Sequence, residues 1–182
     1  MADRDEVLER LRRIYIRVIE EHGYKNCYLT GSMAIYLLCK DLDIEVGDFV
    51  PRDVDILVNS RELKNKQGVS AMTYNKGTVD EYDLIVQRAN VKGIEVQGFH
   101  VQNPKRILEY YQEELSEKEE MQQLRKGEKQ NIQRKIDLLQ QIQRTIQNNG
   151  IQYKQVPEPP RTERRRKEKR SPDRGVTRTL IF

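Results

Sequence analysis

Leu29-Thr30-Gly31-Ser32-Met33 and Arg52-Asp53-Val54-Asp55-Ile56-Leu57-Val58 are the two stretches whose reading decides the fold. The first reads as a short buried strand, Cys27 to Thr30, that breaks at Gly31. Ser32 is then placed to cap an apolar helix from Met33 to Cys39. A helix start with free N–H groups, a glycine for close approach and a hydroxyl suits a phosphate. The second stretch reads as a strand over Asp53–Val58. With a side-chain period of two, Asp53 and Asp55 share one face, while Val54, Ile56 and Val58 point into a core. Like charges at alternate strand positions disfavour the strand. A divalent cation held by both carboxylates would offset that cost.

Outward from these stretches the pattern alternates. Upstream, Val7, Leu11, Ile14 and Val18 recur at helical spacing, with Asp3 and Glu6 in capping-box positions and Gly23 as the stop. His22 falls in the last turn, where a cation suits the helix dipole. Between the two stretches, Asp41 to Pro51 is an acidic loop that lacks EF-hand order. Downstream, Ser70–Tyr74 and Asp80–Arg88 flank Asn75-Lys76-Gly77 as a hairpin, with Asp83 and Ile85 facing one way. Ile94–Val96 and Phe99–Val101 read as one strand bent at Gly98, with His100 in a structural role. Asn103 caps and Pro104 opens a long helix that Gly127 can interrupt. Ile132, Ile136, Leu139, Ile142 and Ile146 continue it as a narrow apolar stripe. Such a stripe packs on the body, on the preceding helix, on a partner helix or on a second copy of the chain.

Charge divides the chain. Its 182 residues carry a net charge of +4. Residues 151–182 hold ten Lys/Arg against four Asp/Glu, so the first 150 hold 23 against 25. The basic character belongs to a tail with little apolar content, expected to be disordered. Its residues 161–178 suit RNA or another polyanion, or a nuclear-localisation signal. Cys27 and Cys39 form no CxxC pair and read as half-buried free thiols. No apolar run nears the roughly 20 residues that span a bilayer. The expectation is a soluble cytoplasmic protein without a membrane partner, with the nucleus as the alternative in a eukaryotic or viral setting.

The order of these features resembles the minimal nucleotidyltransferases of the DNA polymerase β superfamily, small bacterial and toxin-type members included. Leu29-Thr30-Gly31-Ser32 is similar to the family's hydrophobic-x-Gly-Ser turn, and Asp53-Val54-Asp55-Ile56 to its acid-hydrophobic-acid-hydrophobic strand. Val96 to Pro104, followed by a helix, resembles the end of the fold. The likeness covers residues 25 to about 112. It implies an α+β fold, a mixed sheet flanked by helices. The domain would occupy 1–112, with a helical extension over 113–150 and a basic tail over 151–182.

The resemblance further implies a metal-dependent transfer of a nucleoside monophosphate from an NTP to a hydroxyl of RNA, a tRNA end or a protein. Gly31 and Ser32 would hold the triphosphate. Asp53 and Asp55 would hold Mg²⁺ or Mn²⁺. Asp83 is the chosen third carboxylate and metal ligand, Glu95 the alternative. Small members also often carry a lysine in the helix after the last strand. None stands in register near Tyr111, and Lys105 and Arg106 come a turn or two early. The alternative reading is a catalytically silent platform that binds nucleic acid or protein through its helices and tail.

Overall fold

A computed structural model describes residues 4–23, 27–58, 71–86 and 91–156. The chain is a mixed α+β fold. Its elements in order are α1 (Arg4–His22), β1 (Cys27–Thr30), α2 (Gly31–Asp41), β2 (Asp55–Val58), β3 (Ala71–Tyr74), β4 (Tyr82–Val86), β5 (Gly93–Val96), β6 (Phe99–Gln102), α3 (Pro104–Glu120) and α4 (Lys126–Asn148). The six strands form one open mixed sheet in the order β3-β4-β2-β1-β6-β5. The hairpins β3/β4 and β5/β6 form its two flanks. At the centre β1 runs antiparallel to β2 and parallel to β6, and β2 runs parallel to β4.

Strand alternation sorts the side chains as expected. Val54, Ile56 and Val58 are fully buried in the main core, which they share with apolar residues of all four helices. Leu57 points the other way, into a smaller cluster with Tyr28, Ile85, Val91 and Val156. Asp55, two residues before Leu57, lies on that second face.

α1 buries Val7, Leu11, Ile14 and Val18, the stripe read from the sequence, and ends where Gly23 takes a φ of 83°. Arg10 donates to the carbonyls of Arg52 (2.9 Å) and Glu81 (3.0 Å). That guanidinium ties the loops entering β2 and β4 to one helix. Tyr15 donates to the Cys27 carbonyl at 3.1 Å and accepts from the His100 amide at 2.9 Å, bridging the ends of β1 and β6. His100 is buried at 3% exposure against Tyr28. Both cysteines are fully rather than half buried, and burial pushes each thiol up to about 12, which keeps them unreactive.

Four readings need correction. α2 begins at Gly31, and its N-cap is Thr30, which makes no side-chain capping bond. Ser32 therefore lies inside the first turn and is not the cap. β2 begins at Asp55, so Asp53 lies upstream of the strand and is exposed. The segment 94–101 is a two-stranded hairpin, not one bent strand. Gln97 and Gly98 take φ of 49° and 83°, the paired left-handed turn that suits two-residue hairpins. The break between α3 and α4 falls at Met121–Arg125, where Gln122 adopts a φ of 53°, while Gly127 sits in the first turn of α4. Asn103 does cap α3, accepting from the Lys105 amide at 3.0 Å.

The stripe on α4 packs on the body. Ile132, Ile136, Leu139 and Ile142 are buried in the main core beside α2 and α3. Beyond α4, Ile151–Val156 runs back along β5, with Gln155 bridged to Ile94 and the Val156 amide donating to Gly93 at 3.0 Å. Residues 157–182, which include the basic run and the terminal Thr179–Phe182, lie outside the described residues, as do Asp3 and the His22 side chain. Leu139, fully buried on α4, provides a test of this packing. Leu139→Ala should cost about 2–5 kcal/mol. The checking measurement is urea denaturation followed by both circular dichroism and tyrosine fluorescence. The two signals should shift together, because α4 shares the core.

Candidate functional site

The turn after β1 and the start of β2 face each other across an antiparallel pair, with Thr30 opposite Asp55. On its other side β2 pairs in parallel with β4, and there Asp55 stands opposite Asp83. Two carboxylates therefore sit side by side on adjacent strands, beside the start of α2. Gly31 has a φ of 63°, and a Cβ built on it would collide with Asp55 Oδ2. No other residue type fits against that carboxylate. At the C-terminal end of β6, Gln102 accepts a 2.7 Å bond from the Thr30 hydroxyl, locking two strand ends together. α2 and α3 both start at this same sheet edge, so two positive helix dipole ends lie near the carboxylates.

The electrostatics follow from this crowding. Asp55 is half-buried, and its carboxyl is pushed up to about 6, first by burial and then by Asp83 and Asp53; Lys135 opposes the shift. Asp83 Oδ1 is buried with no hydrogen-bond partner among the described residues. A buried lone pair without a donor, beside a carboxylate that resists ionisation, fits a cation better than it fits a proton-poor protein. Among the described residues no three His, Cys, Asp or Glu side chains are already gathered around a common point. Asp55 and Asp83 form the pair, and Asp53 would join from the exposed segment upstream. Glu95 is remote from this pair. It lies on β5, at the far edge of the sheet, and pairs with Lys154 at 2.8 Å.

A partly buried cation beside this turn comes from α4. Lys135 is half-buried, with Nζ 3.4 Å from the Tyr111 hydroxyl and 4.7 Å from the centre of its ring. Burial lowers the Lys135 ammonium below its ordinary range, and Glu114, Asp55 and Asp53 pull it back up. Tyr111, buried on α3, is also in hydrogen-bonding contact with Ser32. One phenol thus links the Gly31-Ser32 turn to the lysine. Lys135 was legible in one respect: it sits three residues after Ile132 and four before Leu139, inside the apolar stripe. A charged residue on a buried helix face calls for a partner.

Lys135 also stands between two cavities. One, of about 500 Å³, is bounded by Ser32, Asp53, Arg52 and Arg134. The other, of about 560 Å³, is bounded by Gly31, Asp55, Gln102, Tyr110 and the acidic face of α3. Lys135 lines both cavities, Asp53 the first and Asp55 the second. Chemically, such an arrangement can seat an anion on one side, a cation between the carboxylates and a second molecule on the other side. No family model, curated protein or solved structure matches this chain.

Proposed function

We propose that the chain is a metal-dependent nucleotidyltransferase of the DNA polymerase β type, moving a nucleoside monophosphate from an NTP to an acceptor hydroxyl. The observation that carries this reading is the in-register pairing of Asp55 with Asp83, set directly against Gly31 and faced by Lys135. The order of the motifs along the sequence supports it. Asp55 and Asp83, with Asp53, would hold Mg²⁺ or Mn²⁺, which when bound neutralises charge on the phosphoryl group and activates the attacking oxygen. The cavity at Ser32 carries three cations, Arg52, Arg134 and Lys135, against two acids, Asp48 and Asp53. That balance suits a triphosphate. Ser32 and the amides of the first turn of α2 would bind its oxygens, and Lys135 would neutralise the charge. RNA, a tRNA end or a protein hydroxyl would be the acceptor.

Lys135→Gln provides the test. It keeps an N–H donor on a stem of similar bulk and removes the charge. Titration of a Mg²⁺–NTP into the wild type and the variant should show about tenfold weaker binding in the variant, about 1.4 kcal/mol. Unchanged affinity would place the phosphates elsewhere and remove the cavity assignment.

A further inference from the structure

Tyr111 touches two groups of the proposed anion site without lining the cavity that holds it. It is 6% exposed on α3 and lines the second cavity, whereas Ser32 lines the first and Lys135 lines both. Its hydroxyl accepts from the Lys135 ammonium at 3.4 Å and is in hydrogen-bonding contact with Ser32. The same ammonium lies 4.7 Å from the centre of the Tyr111 ring.

The chemistry of the three groups sets the direction of these bonds. An ammonium has donors only, so the phenol oxygen must accept from Lys135. A phenol carries one proton, and a buried O–H without an acceptor is costly. Burial and the Asp55 charge raise the phenol above its ordinary range, so that proton stays on it. Lys135 cannot take it, and Ser32 Oγ can. Ser32 therefore accepts from Tyr111 and keeps its own proton to donate. Because α2 begins at Gly31, no earlier helical carbonyl stands behind Ser32 to receive that proton. It is left for an acceptor in the first cavity.

We propose that Tyr111 is a positioning residue for nucleotide binding, its phenol tying Lys135 to Ser32 so that the Ser32 hydroxyl donates to a phosphate oxygen. This rests on the nucleotidyltransferase reading above. The bonds run from Lys135 N–H to Tyr111 O–H to Ser32 O–H to phosphate. All point the same way, and each polarises the next. No proton changes hands and no covalent bond is made or broken. Tyr111 acts through Ser32 and touches neither the nucleotide nor the metal.

A double-mutant cycle on the full chain tests this, with Mg²⁺–NTP affinity read by titration calorimetry. Tyr111→Phe removes the hydroxyl and keeps the ring, and with it the contact to the Lys135 ammonium. It should weaken binding about tenfold. On a Ser32→Ala background the same change should weaken binding less than about threefold, because no hydroxyl remains to be oriented. Inorganic tripolyphosphate with Mg²⁺, which has neither base nor sugar, should repeat the pattern. A tyrosine that merely packs would give equal losses on the two backgrounds. Ser32→Ala, which leaves the core untouched, should by itself weaken binding about tenfold or more. Unchanged affinity in that variant would overturn the proposal even where Tyr111→Phe proved too unstable to measure. So would wild-type affinity in Tyr111→Phe, equal losses on the two backgrounds, or a loss seen with NTP and absent with tripolyphosphate. A wild-type chain that binds no Mg²⁺–NTP would instead remove the underlying nucleotidyltransferase reading, and the role of Tyr111 with it.

Discussion

Asp55→Asn should make the metal-free protein more stable at neutral pH while abolishing transfer. The folded state raises the Asp55 carboxyl from 3.8 to about 6. A carboxyl that holds its proton more tightly when folded favours folding in its protonated form. That contribution is complete below about pH 4, fades as the pH rises through about 6, and is absent at pH 7, where Asp55 is ionised beside Asp83. Two pK units correspond to about 3 kcal/mol, an upper bound for a half-buried group. Asparagine keeps the shape, carries no charge and can donate to the unpartnered Asp83 Oδ1. The variant should therefore melt about 5–10 °C above wild type at pH 7, and the gap should close toward pH 4. Asp48, Glu95 and Glu128 titrate low because Arg134, Lys154 and Lys118 hold them ionised. They act equally in both proteins and cancel in the difference. Calorimetry of the two proteins between pH 4 and 7 without metal checks the sign. A variant less stable at pH 7 would mean that the Asp55 carboxylate is a structural partner.

Gly31→Ala is the second large effect. At a φ of 63° an alanine costs about 1–2 kcal/mol in backbone strain. Its Cβ also meets Asp55, and not only the mobile carboxylate tip, since Asp55 Cγ and Cβ lie 3.2 and 3.4 Å away. Turning the carboxylate aside relieves the oxygen but leaves the tight carbons, and overpacking adds about 1–3 kcal/mol. The expected loss is about 2–5 kcal/mol, read from urea denaturation. If Asp55 does swing away, the variant keeps more of its stability and loses its metal response. A variant with wild-type stability and wild-type metal response would show that Gly31 does not abut Asp55.

Much of this fold is written in local pattern. The α1 stripe, the strand Cys27–Thr30, the alternation at Val54, Ile56 and Val58 and the hairpin around Asn75-Lys76-Gly77 follow from periods of 3.6 and 2 and from turn residues. Asp83 was readable as one acid among apolar neighbours, but its place beside Asp55 depends on β2 pairing with β4 across a long connection, which no local signal specifies. Two of the four corrections arose where ordinary residues adopt left-handed backbone. Gln97 forms half of a tight turn that Gly98 alone suggested as a bend. Gln122 ends α3 in a stretch with no glycine or proline, while Gly127 marked the wrong place. Lys135 lies 103 residues beyond Ser32, and only the packing of α4 against α2 and α3 brings it to the site. Helix packing of that kind depends on long-range shape, so no local signal placed Lys135 beside Tyr111.

The central claim is that Asp55 and its neighbours form a metal-dependent nucleotide site. The most direct measurement is the melting temperature of the wild type and Asp55→Asn with each of the four NTPs, with and without Mg²⁺. At a nucleotide concentration 100-fold above its dissociation constant, binding adds about 2.7 kcal/mol, or roughly 5–10 °C for a chain of this size. A rise that needs both metal and one or more NTPs, and that Asp55→Asn abolishes, is the predicted result. No rise with any nucleotide, or a rise equal in the two proteins, would contradict the account and leave the fold as a silent platform.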